Sequence, residues 1–194
     1  MDLDAARERA SDYLATTAET VSMVRERCLD DIVTAAAIAV TSLRAGGTLL
    51  ICGNGGSAAD AQHLATEFVS TLTLDHPRPS IRALALTTDT SLLTAAGNDI
   101  GFDNVFARQV EAFAKPGDLL IIHSTSGNSP NVLRAAEAAH ARGIKVLAYS
   151  ARDGGALRAL ADHNVVIPTT RTDRAQELHL CIEHVICDVV EQSL

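Results

Sequence analysis

Apolar residues recur at helical spacing over the first part of the chain, from Asp4 to Arg44, with no proline or glycine among them. This spacing predicts two helices that meet near residues 28–31, and Gly46 and Gly47 would end the second one. Because a helical prefix of this length has few partners within a small core, we expect it to pack against another subunit.

Short apolar runs then alternate with helical patterns. This alternation predicts an α/β fold with a five-stranded parallel sheet, flanked by helices on both faces. Proline- or glycine-containing segments predict a loop at 76–79 and a turn at 97–101. We expect strands at about 48–52, 81–86, 119–123, 145–149 and 165–167, and helices at about 57–71, 89–96, 102–114, 129–142, 155–161 and 173–192.

Composition narrows the possible partners. The 194 residues suffice for one domain with a full hydrophobic core, of which 1–45 would be a helical extension. A net charge of −8 and the lack of Trp argue against nucleic-acid binding. No apolar run reaches the ~20 residues that span a bilayer, and no signal-peptide pattern is present. We therefore expect a cytoplasmic protein, with Cys52 and Cys181 as buried free thiols.

A glycine-rich segment, Cys52-Gly-Asn-Gly-Gly-Ser57, lies between the first predicted strand and a predicted helix. Its glycines allow a ligand to approach the backbone closely, and Ser57 occupies the expected N-cap position. Free N–H groups and the helix dipole would make this turn an anion site. The spacing differs from that of dinucleotide- and triphosphate-binding loops, which argues against those ligands.

A second loop of this kind, Ser124-Thr-Ser-Gly-Asn-Ser129, follows the third predicted strand. Four hydroxyls around one helix start suit the oxygens of a phosphate group. Alternatively, these residues only cap the helix and shape its turn. Two such strand–loop–helix units favour a phosphorylated small molecule as the ligand.

Two predicted helices carry groups that suit catalysis or metal binding. His63 and Glu67 are four residues apart and share one face of the helix that follows the glycine loop. On the last predicted helix, Gln176 and His184 lie about two turns apart, with His179 near Gln176. The four groups could converge on a metal or act as an acid/base couple. Since His/Glu pairs at this spacing also occur on plain surfaces, both interpretations stay open.

The remaining polar residues have simpler interpretations. Asp60 and Asp99 are expected to cap or brace turns. His123 could be a core histidine with its hydrogen bonds satisfied or a ligand contact, and its place in an apolar strand favours the former. We expect solvated side chains at His76, His140, His163 and along the segment 171–174.

Taken together, these motifs resemble the sugar isomerase (SIS) domain family and, within it, the phosphoheptose isomerases. The resemblance runs from the helical prefix to the final helix, and it includes Gly97-Asn-Asp99 and Asp153-Gly-Gly155. The serine loop is typical of the whole family. The combination of His63, Glu67, Gln176 and His184 is more discriminating.

The resemblance implies a set of site residues and a homotetramer with active sites between neighbouring subunits. One Zn²⁺ per subunit would be held by His63, Glu67, Gln176 and His184. Alternatively, Glu67 would be the general base and His184 the general acid, and the sequence leaves both roles open. The implied substrate contacts are Asn54, Gly55, Gly56, Ser57, Glu67 and Gln176, with Ser124, Thr125, Ser126 and Ser129 on the phosphate and Asn98 and Asp99 on the sugar hydroxyls.

The implied activity is aldose–ketose isomerisation of sedoheptulose 7-phosphate to D-glycero-D-manno-heptose 7-phosphate through an enediolate. This reaction is the first step of nucleotide-activated heptose synthesis. A non-catalytic scaffold of the replication-initiator-associating type is the main alternative, but those relatives lack the complete His/Glu/Gln/His set. A sugar-phosphate-sensing module and an isomerase of hexose or pentose phosphates are further alternatives.

Overall fold

A computed structural model describes residues 1–75 and 77–194 of the chain and confirms the expected α/β architecture. In these ranges, five strands form one parallel sheet in the order β2-β1-β3-β4-β5. The strands are β1 (Leu49–Gly53), β2 (Ala83–Ala85), β3 (Leu119–His123), β4 (Lys145–Ala151) and β5 (His163–Ile167). The helices are α1 (Leu3–Arg27), α2 (Leu29–Arg44), α3 (Gly56–Val69), α4 (Thr90–Asp99), α5 (Val105–Phe113), α6 (Pro130–Ala141), α7 (Leu157–Leu160) and α8 (Thr172–Ser193).

Strand order places a topological switch point between β1 and β3. The chain leaves β1 to form β2 on one side and then crosses to β3 on the other. In open α/β sheets, ligands bind in the crevice at the carboxyl ends of the two strands that flank such a point. The glycine loop begins at Gly53 and the serine loop begins after His123, and these two residues are register partners. The topology therefore brings both candidate anion loops to one crevice.

Alternate residues of each strand point to opposite faces of the sheet and fill two separate cores. Ile51 and Ile121 pack with α2, α3 and α8 on one face. Cys52 and Ile122 pack with α5 and α6 on the other. Because α2 buries Ile32 and several alanines against the first face, it belongs to the core. By contrast, α1 buries only Thr20 and Val24 among its described residues.

Several sequence-based boundaries were wrong. The turn expected at 97–101 is mostly helix, because α4 continues through Asp99 and a glycine in a helix costs only about 1 kcal/mol. The helix expected at 102–114 is split into a 3-10 turn (Phe102–Asn104) and α5. In the expected loop at 76–79, residues 77–79 have no regular structure and His76 lies outside the described residues.

Three predictions of burial were also wrong. Cys181 is exposed, since it lies on the outer face of α8, whereas Cys52 is buried as expected. Arg174 is fully buried, because its guanidinium packs 3.5 Å from the ring centre of Tyr13 and pairs with Glu177. His163 is partly buried, with Nε2 2.8 Å from the carbonyl oxygen of Asp31. His140 is exposed, as expected, and lies beside Asp162.

Candidate functional site

The glycine loop joins the end of β1 to the start of α3. Gly55 is the N-cap of α3 and has a φ of 57°, which glycine adopts without a Cβ clash. Ser57 was expected at the N-cap, but the helix starts earlier and leaves Ser57 buried in its first turn. Gly55 and Gly56 are exposed, so the backbone of this corner is open to a ligand.

The serine loop follows β3 and begins α6. Ser129 is the N-cap residue of α6, yet its side chain forms no capping hydrogen bond within the part of the chain that the structure describes. Ser124 is buried, whereas Thr125, Ser126 and Ser129 are partly exposed. The structure therefore weakens the alternative that Ser129 is present only as a cap.

The backbone of the Asp153-Gly-Gly155 motif packs against the serine loop. Gly127 has a φ of 63°, and a Cβ at this position would overlap the carbonyl oxygen of Gly154. The Leu157 amide donates to the Gly127 carbonyl at 2.9 Å. Beside this contact, Ser126 and Asn128 line a cavity of about 830 Å³ together with Arg152, Asp153 and residues 168–171.

His63, Glu67 and His184 come together between α3 and α8. Nε2 of His63 lies 2.8 Å from Nε2 of His184 and 3.3 Å from Oε1 of Glu67. One ligand atom from each of the three lies within 4.8 Å of the others. At 2.8 Å the two imidazole nitrogens cannot both carry a hydrogen, so one accepts from the other or both lone pairs face a cation. All three residues are partly buried, which leaves the group open to a small ligand.

Gln176 lies about two turns before His184 on α8. Its carboxamide packs so closely on Gly56 that a Cβ there would overlap it. Gly56 and His63 are about two turns apart on α3, and their partners Gln176 and His184 are about two turns apart on α8. The two helices therefore run side by side. Two imidazoles, a carboxylate and an amide oxygen on two facing helices fit the nitrogen and oxygen donors that Zn²⁺ accepts in proteins.

A second polar group lies deeper between the same helices and the sheet. One ligand atom each from Asp60, His123 and His179 lies within 4.8 Å of the others, and Glu183 faces His123. His123, His179 and Glu183 are fully buried. His123 was expected to be a core histidine with satisfied hydrogen bonds, but neither of its ring nitrogens has such a bond in the described residues.

Burial suppresses charge throughout this group. It lowers the pKa of His123 to about 4 and that of His179 to about 3. It raises the pKa of Asp60 to about 6, with the nearby Glu183 adding to the rise, and raises the pKa of Glu183 well above its ordinary value. Asp60 was expected only to brace a turn. Sequence reasoning missed this group because Asp60 and His123 come from elements other than α8, and their proximity to His179 and Glu183 depends on the fold.

Arg78, in the segment between α3 and β2, fixes the end of α3. Its guanidinium donates to the carbonyl oxygens of Glu67 (2.7 Å) and Phe68 (2.9 Å). It also forms a largely buried ion pair with Glu191 of α8. Arg78 therefore joins the two helices that carry Glu67 and His184. No sequence motif marks it.

Three of the expected substrate contacts are engaged elsewhere. The amides of Asn54 and Asn131 donate to each other at 2.8 Å, which ties the glycine loop to α6. Asn98 and Asp99 are exposed at the end of α4, where they bond to each other. No hydrogen bond or ion pair in residues 1–75 and 77–194 connects them to the His63 group.

The chain is similar to known proteins in both sequence and fold. The model of the SIS domain family matches residues 12–151. A protein of Chlorobaculum parvum named phosphoheptose isomerase is 50% identical over 183 residues, which cover 94% of this chain and 86% of that protein. Among solved structures, phosphoheptose isomerase GmhA from Neisseria gonorrhoeae superposes with a TM-score of 0.91 at 42% identity, covering 96% of this chain and 99% of that one. A phosphoheptose isomerase from Francisella tularensis gives a TM-score of 0.92 at 34% identity, covering 96% and 98%.

None of the helices in the described ranges has the length and apolar character needed to traverse a bilayer.

Proposed function

Because this chain belongs to the phosphoheptose isomerases of the SIS domain family, we propose that it interconverts sedoheptulose 7-phosphate and D-glycero-D-manno-heptose 7-phosphate. This reaction would begin nucleotide-activated heptose synthesis. The observation that carries the proposal is the convergence of His63, Glu67 and His184 between α3 and α8, with α3 leading out of the glycine loop at the switch point. A sugar phosphate has an anionic end for the loops and a reacting end for the side chains.

The serine loop binds the phosphate group in this proposal. Thr125, Ser126 and Ser129 offer partly exposed hydroxyls, and the buried Ser124 anchors the loop by donating its amide to the Tyr149 carbonyl. The glycine loop, from Asn54 to Ser57, would contact the sugar through its exposed backbone. Binding at the phosphate, remote from the reacting carbons, orients the chain for proton transfer.

Glu67 carries the proton between the two reacting carbons. Its carboxylate removes a proton from C1 of the ketose while the C2 carbonyl oxygen gains one, which gives the enediol. The same carboxylate returns the proton to C2, and the C1 hydroxyl loses its proton to form the aldehyde. Oε1 of Glu67 faces His63, whereas Oε2 forms no hydrogen bond within the described residues and is the atom assigned to this transfer. His184 exchanges the oxygen-bound protons.

His63, Glu67, Gln176 and His184 would hold one Zn²⁺ per subunit. A metal in this position supplies Lewis-acid polarisation of the substrate oxygens. Because Glu67 has two carboxylate oxygens, a ligand role for one and a base role for the other are compatible. The donor set and its partial burial support this assignment.

We further propose that residues 1–194 form one SIS domain that assembles as a homotetramer. Tyr13, Leu14 and Val21 leave α1 with an exposed apolar surface. Asn98 and Asp99 are exposed and form no hydrogen bond to the His63 group of their own chain within the described residues, which suits contact with a neighbouring subunit's substrate. A monomer in sedimentation at working concentration would refute the proposed homotetramer.

The test is proton exchange on sedoheptulose 7-phosphate in D₂O, followed by proton NMR. Wild type should incorporate deuterium at the reacting carbons and form the aldose. Glu67→Gln keeps the shape of the side chain and should slow exchange by about 10²–10⁴-fold. Glu111→Gln removes an exposed carboxylate and should leave the rate unchanged. Wild-type protein that shows no exchange refutes the proposal and would favour a non-catalytic scaffold.

A further inference from the structure

A cluster of buried polar side chains lies next to the His63 group, between α3, α8 and the sheet. Asp60 precedes His63 by one turn of α3, and Glu183 directly precedes His184 on α8. The floor is formed by His123 at the end of β3, and His179 closes the side toward β4. These residues take no part in the reaction described above. Their arrangement therefore needs its own explanation.

Unsatisfied polar atoms are concentrated in this cluster. In the described part of the chain, buried atoms without hydrogen-bond partners include Oδ2 of Asp60, Nε2 of His123, Nδ1 of His179 and both oxygens of Glu183. Each such atom costs about 1–3 kcal/mol when it is left unpaired. Native proteins seldom leave several such atoms together, so the cluster is expected to hold a ligand that satisfies them.

The ring nitrogens are oriented as metal ligands are. Nε2 of His179 lies 3.2 Å from the carbonyl oxygen of Ser150, which accepts its hydrogen and leaves the Nδ1 lone pair directed away from this bond. Nδ1 of His123 lies 2.8 Å from Oε1 of Glu183, a close contact that lacks hydrogen-bond alignment. A backbone carbonyl in the position of the Ser150 oxygen fixes the tautomer and the orientation of a metal-bound histidine.

We propose that Asp60, His123 and His179 form a second, buried binding site for a divalent cation of the zinc class. Three protein ligands within 4.8 Å of one another leave one position of a tetrahedral site for water or for Glu183. The charges also balance, because two carboxylates neutralise a divalent ion beside two neutral imidazoles. An ion that is neutralised in this way avoids the large cost of burying a net charge.

Burial separates this site from the one at His63. The side chain of His63 is 40% exposed, whereas His123 and His179 are fully buried. The deeper ion should therefore exchange much more slowly with a chelator than the outer one. This inference does not depend on which sugar phosphate the protein converts, because a metal count needs no substrate.

Metal content of the purified protein, measured by mass spectrometry after a short EDTA treatment, tests the proposal. Wild type should retain one ion per chain, and so should His63→Gln, which lacks a ligand of the outer site. Asp60→Asn and His179→Gln should lose the retained ion. His140→Gln removes an exposed histidine outside both sites and serves as the matched control.

Anomalous diffraction of wild-type crystals at the zinc edge makes the test independent of how the variants fold. A peak among Asp60, His123 and His179 is the expected result. Ordinary water density there without anomalous signal, together with wild type that loses all its metal to EDTA, would overturn the proposal. Water would then be the ligand that satisfies the buried atoms.

Discussion

Replacing Gly127 by alanine tests whether the Gly154 turn holds the serine loop in place. The new Cβ would overlap the Gly154 carbonyl oxygen, and a backbone atom cannot move aside as a flexible side chain can. The loop, the turn or both must therefore shift. We expect this shift to displace Ser126 and to weaken its contacts with a bound phosphate.

The cost of this substitution can be worked out from its parts. An alanine at a φ of 63° is disfavoured by about 1–2 kcal/mol. Loss of the hydrogen bond between the Leu157 amide and the Gly127 carbonyl removes about 1 kcal/mol more. We expect the free energy of unfolding to fall by about 2–4 kcal/mol once imperfect packing around the shifted loop is included.

Gly143→Ala is a matched control, because Gly143 has a φ of 70° and no described heavy atom lies within 4 Å of a Cβ built there. It should cost only the backbone term of about 1–2 kcal/mol. Urea unfolding measures stability, and substrate titration measures KM. We expect KM to rise by about tenfold or more in Gly127→Ala, since each 1.4 kcal/mol of lost binding changes affinity tenfold. Equal stability losses in the two variants, with KM unchanged in both, would refute the role assigned to the Gly154 turn.

Other predictions concern the helices around the site. Arg78→Met should lower the free energy of unfolding, measured by urea titration, by about 3–5 kcal/mol because it leaves the buried carboxylate of Glu191 unpaired. Arg108→Met removes an exposed ion pair and should change the free energy of unfolding by less than about 1 kcal/mol in the same assay. Arg174→Met should loosen α1 and speed amide hydrogen exchange around Tyr13 without changing exchange in the sheet; unchanged exchange in α1 would contradict the contact. His63→Gln should lower the zinc affinity of the outer site by at least about tenfold in a competition titration with a chromogenic chelator, and an unchanged affinity would remove His63 from the ligand set.

The order of strands and helices could be predicted because it depends on local patterns. Apolar runs and turn residues repeat along the chain, and both cores follow the alternation of residues such as Ile51 and Cys52. Element ends were less predictable, since α4 continues through Gly97 where the sequence pattern indicates a turn. In that helix Asp89 accepts a hydrogen bond from the Leu92 amide, and such caps compensate for one weak residue.

The outer group of the site was predictable for a different reason. His63 and Glu67 share one helix face, and Gln176 and His184 lie about two turns apart on another predicted helix, so both pairs are visible in the sequence. The family resemblance then made their combination more discriminating. The buried group offers no such signal. Asp60, His123 and His179 belong to three elements, and their proximity follows from how α8 returns across the sheet after β5. A single histidine in an apolar strand does not indicate which residues surround it.

The packing of α8 on α3 determines how accurately the reacting groups can be positioned. Glu67 lies near the end of α3, where backbone carbonyls have no partner within the helix, and Arg78 satisfies two of them while pairing with Glu191. The same guanidinium thus fixes both the helix that carries Glu67 and the helix that carries His184. The Leu72 amide also donates to Glu191, so the described part of the segment between α3 and β2 contacts both helices. We therefore expect substitutions in that segment to alter turnover even though none of its residues belongs to the candidate site.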